Sequence, residues 1–143
     1  MKRRVRVLVV LMVMIGWAVP GLAQPLPQGL STNLSVNFGG QERTFDVFVP
    51  QAAVDGTPRP LVLELHGFGS FSAQQRGISG WLDVAQNSDL IVVWPNAVAG
   101  AWGIPPFSAV DDVGFLVFLT EWVSARSSVE PSQVHLTGFS LGG

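Results

Sequence analysis

The chain has 143 residues, with no cysteine, no tyrosine, two histidines, eight Lys+Arg and ten Asp+Glu, for a formal charge of -2. Four of the cations fall in the first six residues, so the 120 residues from Gln24 onward carry four arginines, no lysine and ten acids, a net charge of -6. Such a chain offers no cationic surface for nucleic acid or an anionic membrane, no disulfide framework, no thiolate zinc site and no histidine-rich metal cluster.

In chain order, Lys2, Arg3, Arg4 and Arg6 form a basic segment ahead of the apolar run Val7 to Val19, followed by Pro20-Gly21 and the small-residue site Leu22-Ala23. This is the layout of a secretory signal peptide over residues 1–23. It implies a secreted, extracellular or periplasmic protein with no stable membrane association after cleavage. An uncleaved anchor is the alternative, although Val7 to Val19 falls short of the roughly 20 apolar residues that span a bilayer. Arg3-Arg4 also leaves twin-arginine export open. Gln24 to Gly29, with two prolines, reads as an extended leader.

From Leu30, the residues Leu30, Leu34, Val36 and Phe38 alternate with Ser31, Asn33, Ser35 and Asn37; after Gly39-Gly40, Phe45, Val47 and Val49 alternate with Thr44 and Asp46. Period-two patterning around a glycine turn predicts an antiparallel hairpin over about 30–50. Pro50 to Pro60 reads as a loop. Leu61 to Leu65 and Leu90 to Trp94 are nearly continuous apolar runs, and Val134 to Thr137 is a third, as expected of parallel strands covered on both faces. Glu64, a carboxylate within such a run, requires a partner or an edge position. Trp81, Leu82 and Ala85 predict a helix over about 79–88. Val113, Leu116, Val117, Thr120 and Val123 predict another over about 112–126 with that stripe buried, and Asp111 and Asp112 are placed to cap it. Strand, helix and strand alternate from Leu61, so the expected fold class is α/β: a mostly parallel sheet preceded by the hairpin.

Gly138-Phe139-Ser140-Leu141-Gly142 fits G-x-S-x-G, the strand-to-helix elbow that exposes a serine hydroxyl on a sharp turn. Ser140 is the candidate nucleophile. Acyl transfer also needs two N–H donors for the oxyanion, one after the nucleophile and one after an earlier strand. Leu141 and Phe68, the latter in His66-Gly67-Phe68-Gly69, are the candidates. Both motifs end apolar runs, so both fall on the carboxyl edge of the sheet, where open α/β sheets bind ligands. His66, with Gly67, is read as loop support and His135 as a satisfied strand histidine. Trp94 and Trp122 are read as packing; Trp102 is either a substrate-binding wall or a loop anchor. The segment Thr137 to Gly142 also fits the T-G-x-x-x-G opening of a short-chain dehydrogenase, but that motif belongs after the first strand of a fold, and here it follows a hairpin and two strands.

The ordered series Leu-His-Gly at 65–67, Trp81, Ile-Val-Val-Trp-Pro at 91–95, Val110-Asp111-Asp112-Val113-Gly114-Phe115, and Glu130-Pro131-Ser132-Gln133-Val134 leading to Gly-Phe-Ser-Leu-Gly-Gly resembles the α/β-hydrolase fold of secreted esterases. These are the polyhydroxybutyrate depolymerase-like and feruloyl or acetylxylan esterase-like proteins. The resemblance runs from about Thr44 to Gly143. It implies a serine esterase acting on small-molecule or polymeric esters through a Ser-Asp-His triad, with no cofactor and no metal. Ser140 matches the nucleophile, Phe68 and Leu141 the oxyanion donors, and Trp102 an aromatic near the acyl pocket. Phe68 stands where many relatives carry cysteine, and Asn96 where they carry aspartate. The triad order Ser, Asp, His puts both remaining members beyond Gly143. Residues 24–143 therefore read as the N-terminal portion of the domain, and the 143-residue chain by itself is expected not to turn over.

Overall fold

The computed structural model describes residues 23–103, 106 and 108–143. The signal-peptide reading of residues 1–23 lies, Ala23 apart, outside the described residues. The hairpin forms as β1 (Gly29–Phe38) and β2 (Gln41–Val49), closed by Gly39 and Gly40 at φ 60° and 79°. Positive φ at both turn residues matches the twist of the flanking strands, and glycine adopts it without penalty. The register slips by one residue between Ser31 and Leu34, where Asn33 takes φ 54° and its N–H donates to the Asp46 carboxylate at 3.0 Å. That bulge moves Leu30 to the opposite face from Leu34, Val36 and Phe38, which is why Leu30 is exposed against expectation.

The chain continues through α1 (Gln51–Val54), β3 (Arg59–Leu65), α2 (Ser72–Ser79), α3 (Trp81–Ser88), β4 (Ile91–Pro95), α4 (Asp112–Ser124) and β5 (Val129–Gly138), with 3-10 turns at Val98–Gly100 and Ser140–Gly142. The short α1 lies in the stretch read as loop. The strands are ordered β1-β2-β4-β3-β5. The runs β4, β3 and β5 are mutually parallel, but β2 pairs antiparallel with β4, so the sheet is mixed, half its pairings antiparallel, and not mostly parallel. The cause is that β2 bonds along both edges, to β1 and to β4, and so fuses the hairpin into the sheet.

Alternate residues of each central strand serve two separate cores. Phe45, Val47, Leu61, Leu63, Ile91 and Val93 meet Phe115, Leu119 and Val123 of α4, together with Leu26 from the leader. On the other face Phe48, Val62, Val92 and Trp94 meet Ala85, Trp81 and Leu82 of α3. The strands β3 and β4 are thus covered on both sides, as their apolar runs imply, whereas the third run, Val134 to Thr137 of β5, is largely exposed against expectation because β5 is the edge strand next to β3. The helix expected at 79–88 forms as α3, and a second, unexpected helix, α2, precedes it across Gly80 at φ 75°.

On α4 the buried face is Asp112, Phe115, Leu119 and Val123, whereas Val113 and Val117 are exposed. The expected stripe is therefore rotated. The helix is apolar around most of its circumference, so periodicity cannot choose a face; Phe115 and the partner of Asp112 choose it. Leu116, Val117 and Thr120 instead border a shallow groove with Leu63, Val134, His135 and Leu136, and His135 is exposed there and not satisfied within the sheet. Among the described residues no helix is long and apolar enough to cross a membrane. The rotation is testable by denaturant unfolding: Leu119→Ala should lower stability by about 2–5 kcal/mol, and Val117→Ala by no more than about 0.5 kcal/mol.

Candidate active site

The site is built where β3 and β5 end together. Their parallel register runs from Leu61 opposite Val134 to Leu65 opposite Gly138, and the first residue beyond it, Phe139, donates its N–H to Leu65 O at 3.1 Å. The chain then turns sharply: Ser140 adopts φ 55°, Gly142 N–H donates to Phe139 O at 3.0 Å, and Gly143 N–H to Ser140 O at 3.0 Å. A non-glycine residue at positive φ is strained and persists only where its surroundings hold it. Here they do so sterically. A Cβ at Gly142 would lie 2.7 Å from the Leu65 side chain and 2.7 Å from His66 O, and one at Gly138 would overlap the backbone of Gly142. Both glycines of the motif are needed for the turn to close on itself and to seat against β3.

The loop after β3 meets this turn. A Cβ built on Gly67 would be 3.4 Å from the Ser140 Cβ and 3.2 Å from the Phe139 ring. Within the loop Gly69 N–H donates to Gly100 O at 2.8 Å and Ser70 N–H to Gly67 O at 3.2 Å. Among the turn and loop backbone bonds of the described residues, none uses Phe68 N–H or Leu141 N–H as donor. His66, almost fully buried, has both ring nitrogens engaged: Nε2 accepts from Ala97 N–H at 3.1 Å, so Nδ1 carries the proton and donates to Gly67 O at 2.7 Å. That bonding ties the ring to the loop and leaves it no lone pair for Ser140. Gly67, Phe68, Gly69, Ser70, Phe139 and Ser140 border a cleft of about 280 Å³ completed by Gln74, Gln75 and Ile78 of α2. Among the described residues no charged side chain lines it.

No family model matches the chain. A curated relative, NocK from Nocardia uniformis subsp. tsuyamanensis, a protein named as an esterase, is 27% identical over 128 residues, 84% of this chain and 37% of its own. Among solved structures, the fluorophosphonate-binding serine hydrolase F (FphF) of Staphylococcus aureus matches with TM-score 0.65 at 17% identity, covering 81% of this chain and 49% of its own. The acetyl xylan esterase of Aspergillus awamori gives 0.61 at 17% identity over 78% and 44%. A ferulic acid esterase of Anaeromyces mucronatus gives 0.58 at 19% identity over 87% and 56%. Over the residues matched the chain shares the fold of these structures. It spans 37% of the length of NocK and about half that of these structures.

The loop carrying Phe68 is braced from behind. Trp102 is buried, donates Nε1–H to His66 O at 2.7 Å and stacks on the His66 ring with centroids 5.0 Å apart. It anchors the loop and takes no part in lining the cleft. The next residue, Gly103, donates its N–H to the Asp112 carboxylate, whose other oxygen pairs with Arg43 Nη2 at 2.6 Å. Arg43 also donates to Asn96 O at 3.1 Å and lies 3.8 Å over the Phe115 ring. Only Asp111 caps α4, accepting from Gly114 N–H at 2.8 Å. Asp112, read as its companion cap, is instead the hub joining β2, the loop after β4 and α4, with side-chain exposures of 2% and 4% for the pair. Asn96 is a second residue with a wider role than its loop position suggests: its Oδ1 accepts Ser72 N–H at 2.6 Å and caps α2 from another element. Denaturant titration should show Arg43→Met losing about 3–5 kcal/mol, because Asp112 is left buried without its cation. The exposed pair Arg59–Asp89, 3.9 Å apart, is the control, and Arg59→Met should cost under about 1 kcal/mol.

Proposed function

We propose that the chain is the N-terminal portion of a secreted serine carboxylic-ester hydrolase in which Ser140 is the nucleophile and the N–H groups of Phe68 and Leu141 receive the oxyanion. The observation that carries this reading is the seating of Ser140, at φ 55°, against Gly67 of the loop that follows β3. Ser140 Oγ attacks the ester carbonyl while a general base takes its proton. The carbonyl π electrons move to oxygen, and the two N–H donors stabilise the resulting charge. Collapse expels the alcohol, which recovers the proton, and leaves an acyl-serine; water adds by the same steps and releases the acid.

Both ring nitrogens of His66 are occupied and His135 borders the groove beside α4. Neither histidine is therefore placed to serve Ser140, and we assign the base and its orienting carboxylate to the histidine and aspartate that the esterase resemblance implies later in the sequence than the nucleophile. The uncharged lining of the cleft favours uncharged acyl groups, short or aromatic, as in acetyl, feruloyl or hydroxyalkanoate esters. A polypeptide extended past Gly143 should hydrolyse p-nitrophenyl acetate and label with a fluorophosphonate, and Ser140→Ala should abolish both; residues 1–143 alone should do neither. Ser140-dependent turnover by residues 1–143 would overturn the assignment of the base.

The export reading is part of the same proposal. Expressed in its own host, the protein should be recovered outside the cytoplasm with Gln24 at its amino terminus. Edman or mass-spectrometric detection of intact Met1 in the membrane fraction would contradict it.

A further inference from the structure

Glu64 is a buried carboxylate for which the ester-hydrolysis mechanism has no use. It is 3% exposed, and each oxygen is occupied: Gln75 Nε2 donates to Oε1 at 2.8 Å, Ser79 Oγ donates to Oε2 at 2.9 Å, and Trp94 Nε1 donates to the same Oε2. No cation is among these partners. Gln75 and Ser79 are one turn apart on α2, so Glu64 clamps that helix along its inner face to the end of β3, next to the loop bearing Phe68.

What else holds α2 is also polar. Ser72 bonds to Asn96, and Arg76 Nε donates to the buried Asp46 carboxylate at 3.2 Å. None of the eight residues of α2 belongs to either apolar core; its buried residues are Ser72 and Gln75, and its one large apolar side chain, Ile78, is 68% exposed. Gly77 lies inside the helix, where glycine weakens it. Glycines at positive φ flank the segment, Gly69 at 70° and Gly80 at 75°. A short helix without apolar burial belongs to the low-stability end of local opening. Yet Gln74, Gln75 and Ile78 form one wall of the Ser140 cleft.

We propose that α2 is a movable wall of the Ser140 cleft, latched to the sheet by Glu64, and that releasing the latch widens the cleft for acyl groups larger than its resting volume admits. Glu64 is thus a positioning residue that acts through Gln75 and Ser79. The part concerning acyl groups rests on the proposed esterase reading; the latch does not.

Hydrogen–deuterium exchange on the full chain tests the latch without any catalysis. In the unaltered protein the amides of 72–79 should exchange faster than those of 115–123. Glu64→Leu, which strands all three donors, should raise exchange in 72–79 roughly tenfold while leaving 115–123 unchanged. Glu64→Gln should restore slow exchange, because its amide can donate to a flipped Gln75 and still accept from Ser79 and Trp94. Ser79→Ala removes the bond to Glu64 and a longer one, 3.4 Å, in which Ser79 Oγ accepts from Trp81 N–H, and should raise exchange in 72–79 by a smaller factor; alanine is the better helix former, so faster exchange there cannot come from propensity. In the extended enzyme Ser79→Ala should shift KM for a bulky p-nitrophenyl ester severalfold relative to p-nitrophenyl acetate, with kcat for the acetate unchanged. Exchange in α2 as slow as in α4, a rise spread equally over both helices, or an unmoved KM ratio would each overturn the proposal. Absence of turnover in the extended enzyme would instead sink the esterase reading, and the exchange result would still decide the latch.

Discussion

The parallel pairing of β3 with β5 is the constraint from which the site follows. It brings two chain segments more than seventy residues apart to the same level of the sheet, Leu65 beside Gly138, and one further bond from Phe139 N–H to Leu65 O carries the register into the turn. Both segments change direction at that point, and small residues are required at the crossing: Gly67 faces Phe139 and Ser140, and Gly142 abuts Leu65 and His66. The positive φ of Ser140 is then a consequence of closure. A shift of one residue in the β3–β5 register would invert every side chain of β5 and part the two loops, so this ladder specifies the cleft.

Around that crossing the polar groups are buried in a connected order. Arg43, Asp112 and Gly103 link β2 and α4 to the segment bearing Trp102; Trp102 holds the His66 carbonyl, and the His66 ring holds Ala97 and Gly67. Each member is satisfied, which is the condition under which a buried network rigidifies rather than weakens a fold. A buried ion pair adds little net stability over an apolar equivalent. Its value here is directional: an arginine over Phe115, bonded at once to Asp112 and Asn96 O, admits one arrangement of three elements where packed leucines would admit several.

Much of this was legible from residue order. The three apolar runs, the helix at 112–124 and the two glycine-flanked loops follow from period, length and punctuation, and the elbow from its motif. What escaped did so for physical reasons. A single extra residue at Asn33 turned Leu30 outward, and a bulge leaves no mark in an alternating pattern. In α4 nearly every position was apolar, so the buried face depended on a partner 69 residues away in sequence, Arg43. The helix α2 lacked any apolar period because it docks through hydrogen bonds; Glu64 stood out as an anomaly in a buried strand, but nothing local indicated Gln75, Ser79 and Trp94 as its three donors. Trp102 read equally well as pocket or anchor until its N–H was seen to reach His66 O.

The helices α4 and α2 are consequently held to the sheet by different forces, although α3, beside α2, has an apolar core of its own. On the α4 side, Phe115, Leu119 and Val123 are fully buried and an ion pair pins the first turn, so this face can open only by exposing a core. On the α2 side, the contacts are bonds to Glu64, Asp46 and Asn96, and water can replace each of them at little net cost because a protein hydrogen bond is worth only about 1 kcal/mol over its hydrated alternative. The elbow is seated on the end of β3 and the loop after it, and the wall opposite it is α2. A residue held at positive φ by a closed turn requires a rigid support, and a helix docked through hydrogen bonds does not provide one. One five-stranded sheet thus carries two helices locked by apolar burial, α4 and α3, and one, α2, held by hydrogen bonds.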